Sequence, residues 1–244
     1  MAASSHRQGS CRSPKGSRAA SAAWQDRDVT RIKICGITRP EDARLAVDRG
    51  AWAIGLILAE ESPRRCDLAA AEQISAELRR EVEIVGVFVN ATLEELTYAA
   101  DRAALSILQL HGDEGPLYCV EAARRTGCRV MKVARVRDLS SIRGLTAYPV
   151  DFHMLDAYNP DRRGGTGESF AWDLVPHGRN TPLVLSGGLD ADNVGEAIRI
   201  VRPYAVDVAS GTEASPGIKD EARLRAFFRA IEQADAAILG ASAA

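Results

Sequence analysis

The chain has 244 residues, 46% hydrophobic and 26% charged, an ordinary composition for a globular protein that buries its own core. With 31 Lys and Arg against 33 Asp and Glu, the net charge of −2 offers no global basic excess for nucleic acid, and no apolar run is long enough to span a bilayer. The 5 cysteines, without a Cys-x-x-Cys pair, fit reduced thiols in a cytosol, and the 4 histidines lack the His-x-x-x-His spacing of a local metal site.

The first 28 residues differ from the rest. Met1 to Gln25 is rich in Ala, Ser and Gly, carries Arg7, Arg12, Lys15 and Arg18, and has no acidic residue. It lacks the apolar stretch of a secretory signal. Its composition is compatible with a disordered tail, with a start codon placed too far upstream, and with an organellar transit segment that Gly9, Pro14 and Gly16 would interrupt. The expectation is a disordered, dispensable extension over 1–28 and one folded domain over 29–240.

From Arg31 the pattern alternates. Short runs rich in Val, Ile and Leu predict strands at 31–35, 52–58, 83–89, 105–110, 129–134, 150–155, 183–186 and 205–209, as for strands buried on both faces. Helices are predicted between them. One opens at Thr38-Arg39-Pro40-Glu41, a capping-box pattern, and closes at Gly50. Others run near 67–80, 92–102, 116–126, 190–201 and 219–238, with 138–144 and 170–178 short or irregular. Eight strand–helix alternations predict an α/β fold, a single (βα)8 barrel.

A parallel barrel aims every strand's C-terminal end at one mouth, so the strand-end residues are the candidates for chemistry. Cys35 ends the first strand, where it is either a buried small hydrophobe or a base that needs a cationic neighbour to ionise. Lys33 shares its face without necessarily touching it. Asp156 ends the sixth strand, as a loop-bonding aspartate or a general acid. Gly187-Gly188 and Ser210-Gly211 follow strands seven and eight, where barrels often hold a phosphate on backbone N–H groups, and Gly165 lies in a third glycine-bearing loop. Together these predict a phosphorylated small-molecule substrate. Arg64, beside Arg65 in Ser62-Pro63-Arg64-Arg65, offers a planar fork suited to a carboxylate, and the sequence alone leaves open which arginine does so.

Taken in order, Lys33-Ile34-Cys35-Gly36-Ile37-Thr38, Ser62-Pro63-Arg64, Gly86-Val87-Phe88-Val89-Asn90, Gln109-Leu110-His111-Gly112, Leu155-Asp156, Gly164-Gly165-Thr166-Gly167, Leu185-Ser186-Gly187-Gly188-Leu189 and Ser210-Gly211 with Glu213 and Gly217-Ile218-Lys219-Asp220 resemble the phosphoribosylanthranilate isomerase family over about residues 31 to 235. The resemblance implies a (βα)8 barrel without metal or organic cofactor, acting in tryptophan biosynthesis in the cytoplasm. It implies a base at Cys35, an acid at Asp156, carboxylate binding by Arg64, and phosphate binding around Gly165, Gly187, Gly188, Ser210 and Gly211. Neither nucleic acid nor membrane is an expected partner, and the chain is expected to be a monomer or homodimer. The sequence departs from the family's habit at Gly55-Leu56-Ile57-Leu58, at Ala59-Glu60-Glu61 and at Ala209. The sister isomerase of histidine synthesis is the nearest rival, but that family places aspartate where this chain has Cys35. A phosphate-binding barrel without catalysis is the rival of another class.

Overall fold

Successive residues of a strand face opposite ways, and the two faces here bury different chemistry. In the computed structural model, which describes residues 29–136, 138–156, 172–176 and 179–242, eight parallel strands close into a barrel in sequence order. They are β1 (Arg31–Cys35), β2 (Ala53–Ile57), β3 (Glu83–Phe88), β4 (Ile107–Leu110), β5 (Arg129–Arg135), β6 (Phe152–Asp156), β7 (Leu183–Ser186) and β8 (Ala205–Val208), and β8 pairs back onto β1. Outward residues such as Ile34, Ile54, Leu56, Ile84, Leu108, Leu155 and Val206 are buried under the helices. Each such side chain contributes about 1.5–3 kcal/mol by leaving water. Inward residues fill the barrel: Ala53, Val85, Ile107, Met131, Met154, Val184 and Ala205 pack its middle. Trp52, Phe152 and Tyr204 plug the N-terminal end, Trp52 meeting the other two edge-on at 5.7 and 5.5 Å. Polar inward residues are left for the C-terminal mouth.

The helices follow local signals. α1 (Pro40–Asp48) starts with proline in its first turn, α2 (Leu68–Leu78) is capped by Asp67, and α3 (Leu93–Arg102) carries a complete capping box between Thr92 and Glu95. α4 (Pro116–Thr126) ends on left-handed Gly127, and α5 (Leu139–Gly144) is short, as expected. α6 (Val194–Val201) and α7 (Glu221–Ser242) complete the seven α-helices among the described residues. Between β6 and β7 the described part of the connection is a 3-10 turn at Trp172–Leu174. The tail, and Gly165 with its loop, lie outside the described residues.

Three expectations are corrected. The capping box at Thr38 and Glu41 does not form: Arg39 is the N-cap, and the Thr38 hydroxyl donates instead to the Gly217 carbonyl at 2.6 Å. The predicted helix at 190–201 starts only at Val194. Asp190 turns the chain first, accepting from the N–H groups of Asp192 and Asn193 at 2.9 and 3.1 Å. The predicted helix at 219–238 starts at Glu221, because Ile218–Lys219 (β10) pair antiparallel with Glu213–Ser215 (β9). Tertiary partners override helix propensity there, since the Lys219 N–H donates to buried Asp42 at 3.1 Å.

One clasp ties the two ends of the domain. Buried Asp235 on α7 accepts from the Thr30 N–H at 2.8 Å and its hydroxyl at 2.7 Å, immediately before β1. Asp235→Ala leaves both donors unpaired, so it is expected to lower stability by about 1–3 kcal/mol. In urea denaturation this reads as a lower midpoint at unchanged slope. An unaltered midpoint would mean that water replaces the clasp without cost.

Candidate active site

Two-residue periodicity sends Lys33 and Cys35 inward together from β1. The Cys35 side chain is buried, with 5% of its surface exposed. Gly36 then turns the chain with φ at +73°, and a Cβ there would lie 2.9 Å from Arg64 Cδ. Glycine is required at this corner both for the left-handed backbone and to let the Arg64 stem cross over the strand end.

Arg64 is half-buried at the mouth and engaged. Its Nε lies 2.9 Å from both Glu213 carboxylate oxygens, and its Nη2 lies 2.8 Å from Oε2. The side-on edge of the guanidinium is therefore occupied, while the end-on edge, Nη1 with Nη2, faces away from Glu213. Arg65 is the more exposed of the two and pairs loosely with Glu60 at 3.7 Å. Geometry thus separates two arginines that sequence could not. Glu213, buried in β9, keeps its carboxyl below the usual range although burial alone would raise it, because Arg64 and Lys219 outweigh that effect. Lys219 reaches from β10 with Nζ 3.2 Å from Glu213, 2.7 Å from the Cys35 carbonyl and 3.0 Å from the Ala209 carbonyl.

Asp156 closes β6 three strands from Cys35 around the ring, through β7 and β8. Its Oδ2 lies 3.2 Å from His111 Nε2, at the end of β4. The pair holds a proton either as His111 N–H donating to the carboxylate or as a carboxylic acid donating to the ring. His111 is set by a buried knot: Lys132 Nζ donates to the Gly112 carbonyl and to Glu114, each at 2.7 Å, and Glu114 accepts from the Asn90 N–H at 2.9 Å. Strand register aligns Asp156 with Ser186 of β7. The Ser186 hydroxyl donates to Asp207 of β8 at 3.0 Å, and Asp207 pairs with Lys33 Nζ at 2.7 Å. A polar chain thus runs along the mouth from β7 through β8 to β1.

The two described glycine loops meet. Gly187 and Gly188 have φ of +97° and +64°. Asn193 fastens this turn, donating from Nδ2 to the Gly188 carbonyl at 2.8 Å and accepting from the Asp190 N–H at 3.0 Å. A Cβ on Gly211 would fall 2.1 Å from the Leu189 carbonyl, so Ser210-Gly211 can lie against the β7 loop only because residue 211 has no side chain. The structure brings together Cys35, Asp156, Arg64, Gly187, Gly188, Ser210 and Gly211 at one mouth. Sequence reasoning quoted Lys33, His111, Glu213 and Lys219 within motifs without assigning roles, and it passed over Asp207. Only the inward parity of Lys33 and Asp207 within apolar strands could have marked that pair.

A family model described as N-(5'-phosphoribosyl)anthranilate (PRA) isomerase matches residues 32–230. N-(5'-phosphoribosyl)anthranilate isomerase of Pelobacter propionicus is 46% identical over 202 residues, covering 82% of this chain and 95% of its own. The Pseudomonas putida enzyme of that name is 48% identical over 204 residues, covering 84% and 98%. Among solved structures, phosphoribosyl anthranilate isomerase from Thermotoga maritima superposes with a TM-score of 0.76 at 40% identity, over 84% of this chain and 100% of that one. A crystal structure of phosphoribosyl anthranilate isomerase in complex with reduced 1-(o-carboxyphenylamino)-1-deoxyribulose 5-phosphate gives 0.75 at 38%, over 84% and 100%. With its eight-stranded barrel and with the family model matched from β1 into α7, this chain belongs to the N-(5'-phosphoribosyl)anthranilate isomerase family.

Proposed function

We propose that the barrel mouth catalyses the Amadori rearrangement of N-(5-phosphoribosyl)anthranilate to 1-(2-carboxyphenylamino)-1-deoxyribulose 5-phosphate, a step of tryptophan biosynthesis in the cytoplasm. Asp156 gives its proton to the furanose ring oxygen, and the C1–O bond breaks as the nitrogen lone pair forms an iminium. The Cys35 thiolate then takes the C2 proton, the C2–H electron pair becomes the C1–C2 double bond of an enolamine, and the C1=N π pair returns to nitrogen as its lone pair. Moving the C2 hydroxyl proton to C1 yields the aminoketose, an isomer of the substrate, and Cys35 releases its proton to solvent while Asp156 takes one up, which resets both groups.

Arg64 offers its end-on edge to the anthranilate carboxylate while Glu213 holds the other edge. Backbone groups around Gly187, Gly188, Ser210 and Gly211 receive the phosphate, with Gly165 assigned the same role from beyond the described residues. These grips orient the substrate, which is their share of the rate. The single observation that supports this reading best is Cys35 and Asp156 at C-terminal strand ends of one closed barrel, with the Arg64 guanidinium held against Glu213 over Gly36.

The test is direct. Purified protein is mixed with freshly made phosphoribosylanthranilate, and the loss of its anthranilate fluorescence is followed alongside formation of the aminoketose. Fluorescence loss no faster than the spontaneous background would overturn the proposal.

A further inference from the structure

The mechanism asks for a thiolate at a buried position, and burial opposes one. Desolvation holds the Cys35 thiol above its ordinary pKa, with the neighbouring Lys33 ammonium the strongest influence in the opposite direction and Asp207 pushing it up again. Lys33 has no exposed surface, and its Nζ pairs with Asp207 Oδ1 at 2.7 Å. A purely structural ion pair could stand anywhere along β1 and β8; this one abuts the sulfur. A Cβ on Gly55 of β2 would lie 2.7 Å from Cys35 Sγ and 2.9 Å from Lys33 Nζ, so thiol and ammonium converge where the neighbouring strand presents no side chain. We propose that Lys33 is a positioning residue for catalysis, the counter-ion of the Cys35 thiolate, kept charged by Asp207, which in turn accepts the Ser186 hydroxyl.

This deepens the assignment of Cys35 as base and rests on it. Among the described residues the charged groups around the thiol are few. β1 supplies Lys33 and β2 supplies none. β8 supplies Asp207, and the β9–β10 hairpin supplies Lys219, whose ammonium bonds the Cys35 carbonyl and is itself paired with Glu213. Arg64 crosses above Gly36 with its charge matched by Glu213. Among these described cations, Lys33 is the one aimed at the sulfur rather than at the backbone. Burial pulls the Lys33 ammonium down, but Asp207 and then Cys35 more than offset this and hold it above the ordinary lysine value. Asp207 thus holds Lys33 in its ammonium form around neutral pH.

The test titrates the full-length protein by the ultraviolet absorbance of the thiolate, each protein being measured against its Cys35→Ala counterpart. Lys33→Met keeps the length of the side chain and removes its charge, but strands Asp207. The double variant Lys33→Met with Asp207→Asn leaves no unpaired buried charge, so it keeps the test open if the single variant does not fold. In either variant the Cys35 titration is expected to move up by at least about one pH unit, a tenfold loss of thiolate on the acid side. The acid limb of kcat/KM should move with it, and part of the lost turnover should return as pH is raised. A folded double variant whose Cys35 titrates as in the parent would overturn the proposal, whatever its activity. Undiminished turnover in Cys35→Ala would instead sink the assignment of the base and leave the effect of Lys33 on thiol ionisation standing.

Discussion

Cys35→Ala and Asp156→Asn are each expected to lower kcat by at least about 10²-fold without disturbing the fold, since a positioned acid or base contributes roughly 10²–10⁴-fold. Alanine fits where the buried thiol was and removes only the sulfur, the proposed acceptor of the C2 proton. Asparagine keeps the shape of Asp156 and can still accept from His111 Nε2, which lies 3.2 Å from the carboxylate. It has no acidic proton for the ring oxygen. Both losses belong in kcat, because neither group holds the phosphate or the carboxylate. Steady-state kinetics on variants with parental circular dichroism and melting temperature make the measurement. If either variant turned over at near-parental rates, the role given to that residue would be wrong.

The substrate carboxylate gives the second large effect. Arg64→Lys replaces a planar fork by a point charge and is expected to lower kcat/KM by about 10- to 100-fold, mostly through KM, as losing a charge-assisted bond of about 1.5–3 kcal/mol would do. Arg65→Lys should change it less than about 2-fold, because that side chain is exposed and, among the described residues, engages Glu60 alone, at 3.7 Å. Glu213→Gln tests the same geometry from the other side. An amide cannot accept both Nε and Nη2 as the carboxylate does, so the guanidinium loses its fixed aim and KM should rise while kcat falls less. Glu213 also pairs with Lys219, so the fold is expected to survive in Arg64→Lys. A larger effect at Arg65 than at Arg64 would reverse the assignment.

Much of the architecture was legible because it rests on local rules. Apolar runs of strand length separated by capped helical stretches marked all eight strands, and Asp67, Thr92, Pro116 and Gly127 stand at helix boundaries for the reasons their chemistry dictates. Failures came where a distant partner outbid the local pattern. Thr38 reads as a cap in sequence, yet its hydroxyl finds the Gly217 carbonyl, 179 positions away. Lys219 reads as the first turn of a helix, yet its ammonium goes to the Cys35 carbonyl and its N–H to Asp42.

By itself the sequence determined the barrel, the strand ends that bear Cys35 and Asp156, and the glycines that allow two loops to meet, since period, turn chemistry and strand polarity are properties of neighbouring residues. Tertiary structure alone decided which charges face one another. Strand register set Asp207 opposite Lys33, and Ser186 opposite Asp156. The crossing at Gly36 put Arg64, and not Arg65, against Glu213, and the β9–β10 hairpin delivered Glu213 and Lys219 to the mouth. The physical reason is that an ion pair joins residues far apart along the chain, here 174 positions between Lys33 and Asp207, and no local periodicity encodes that separation.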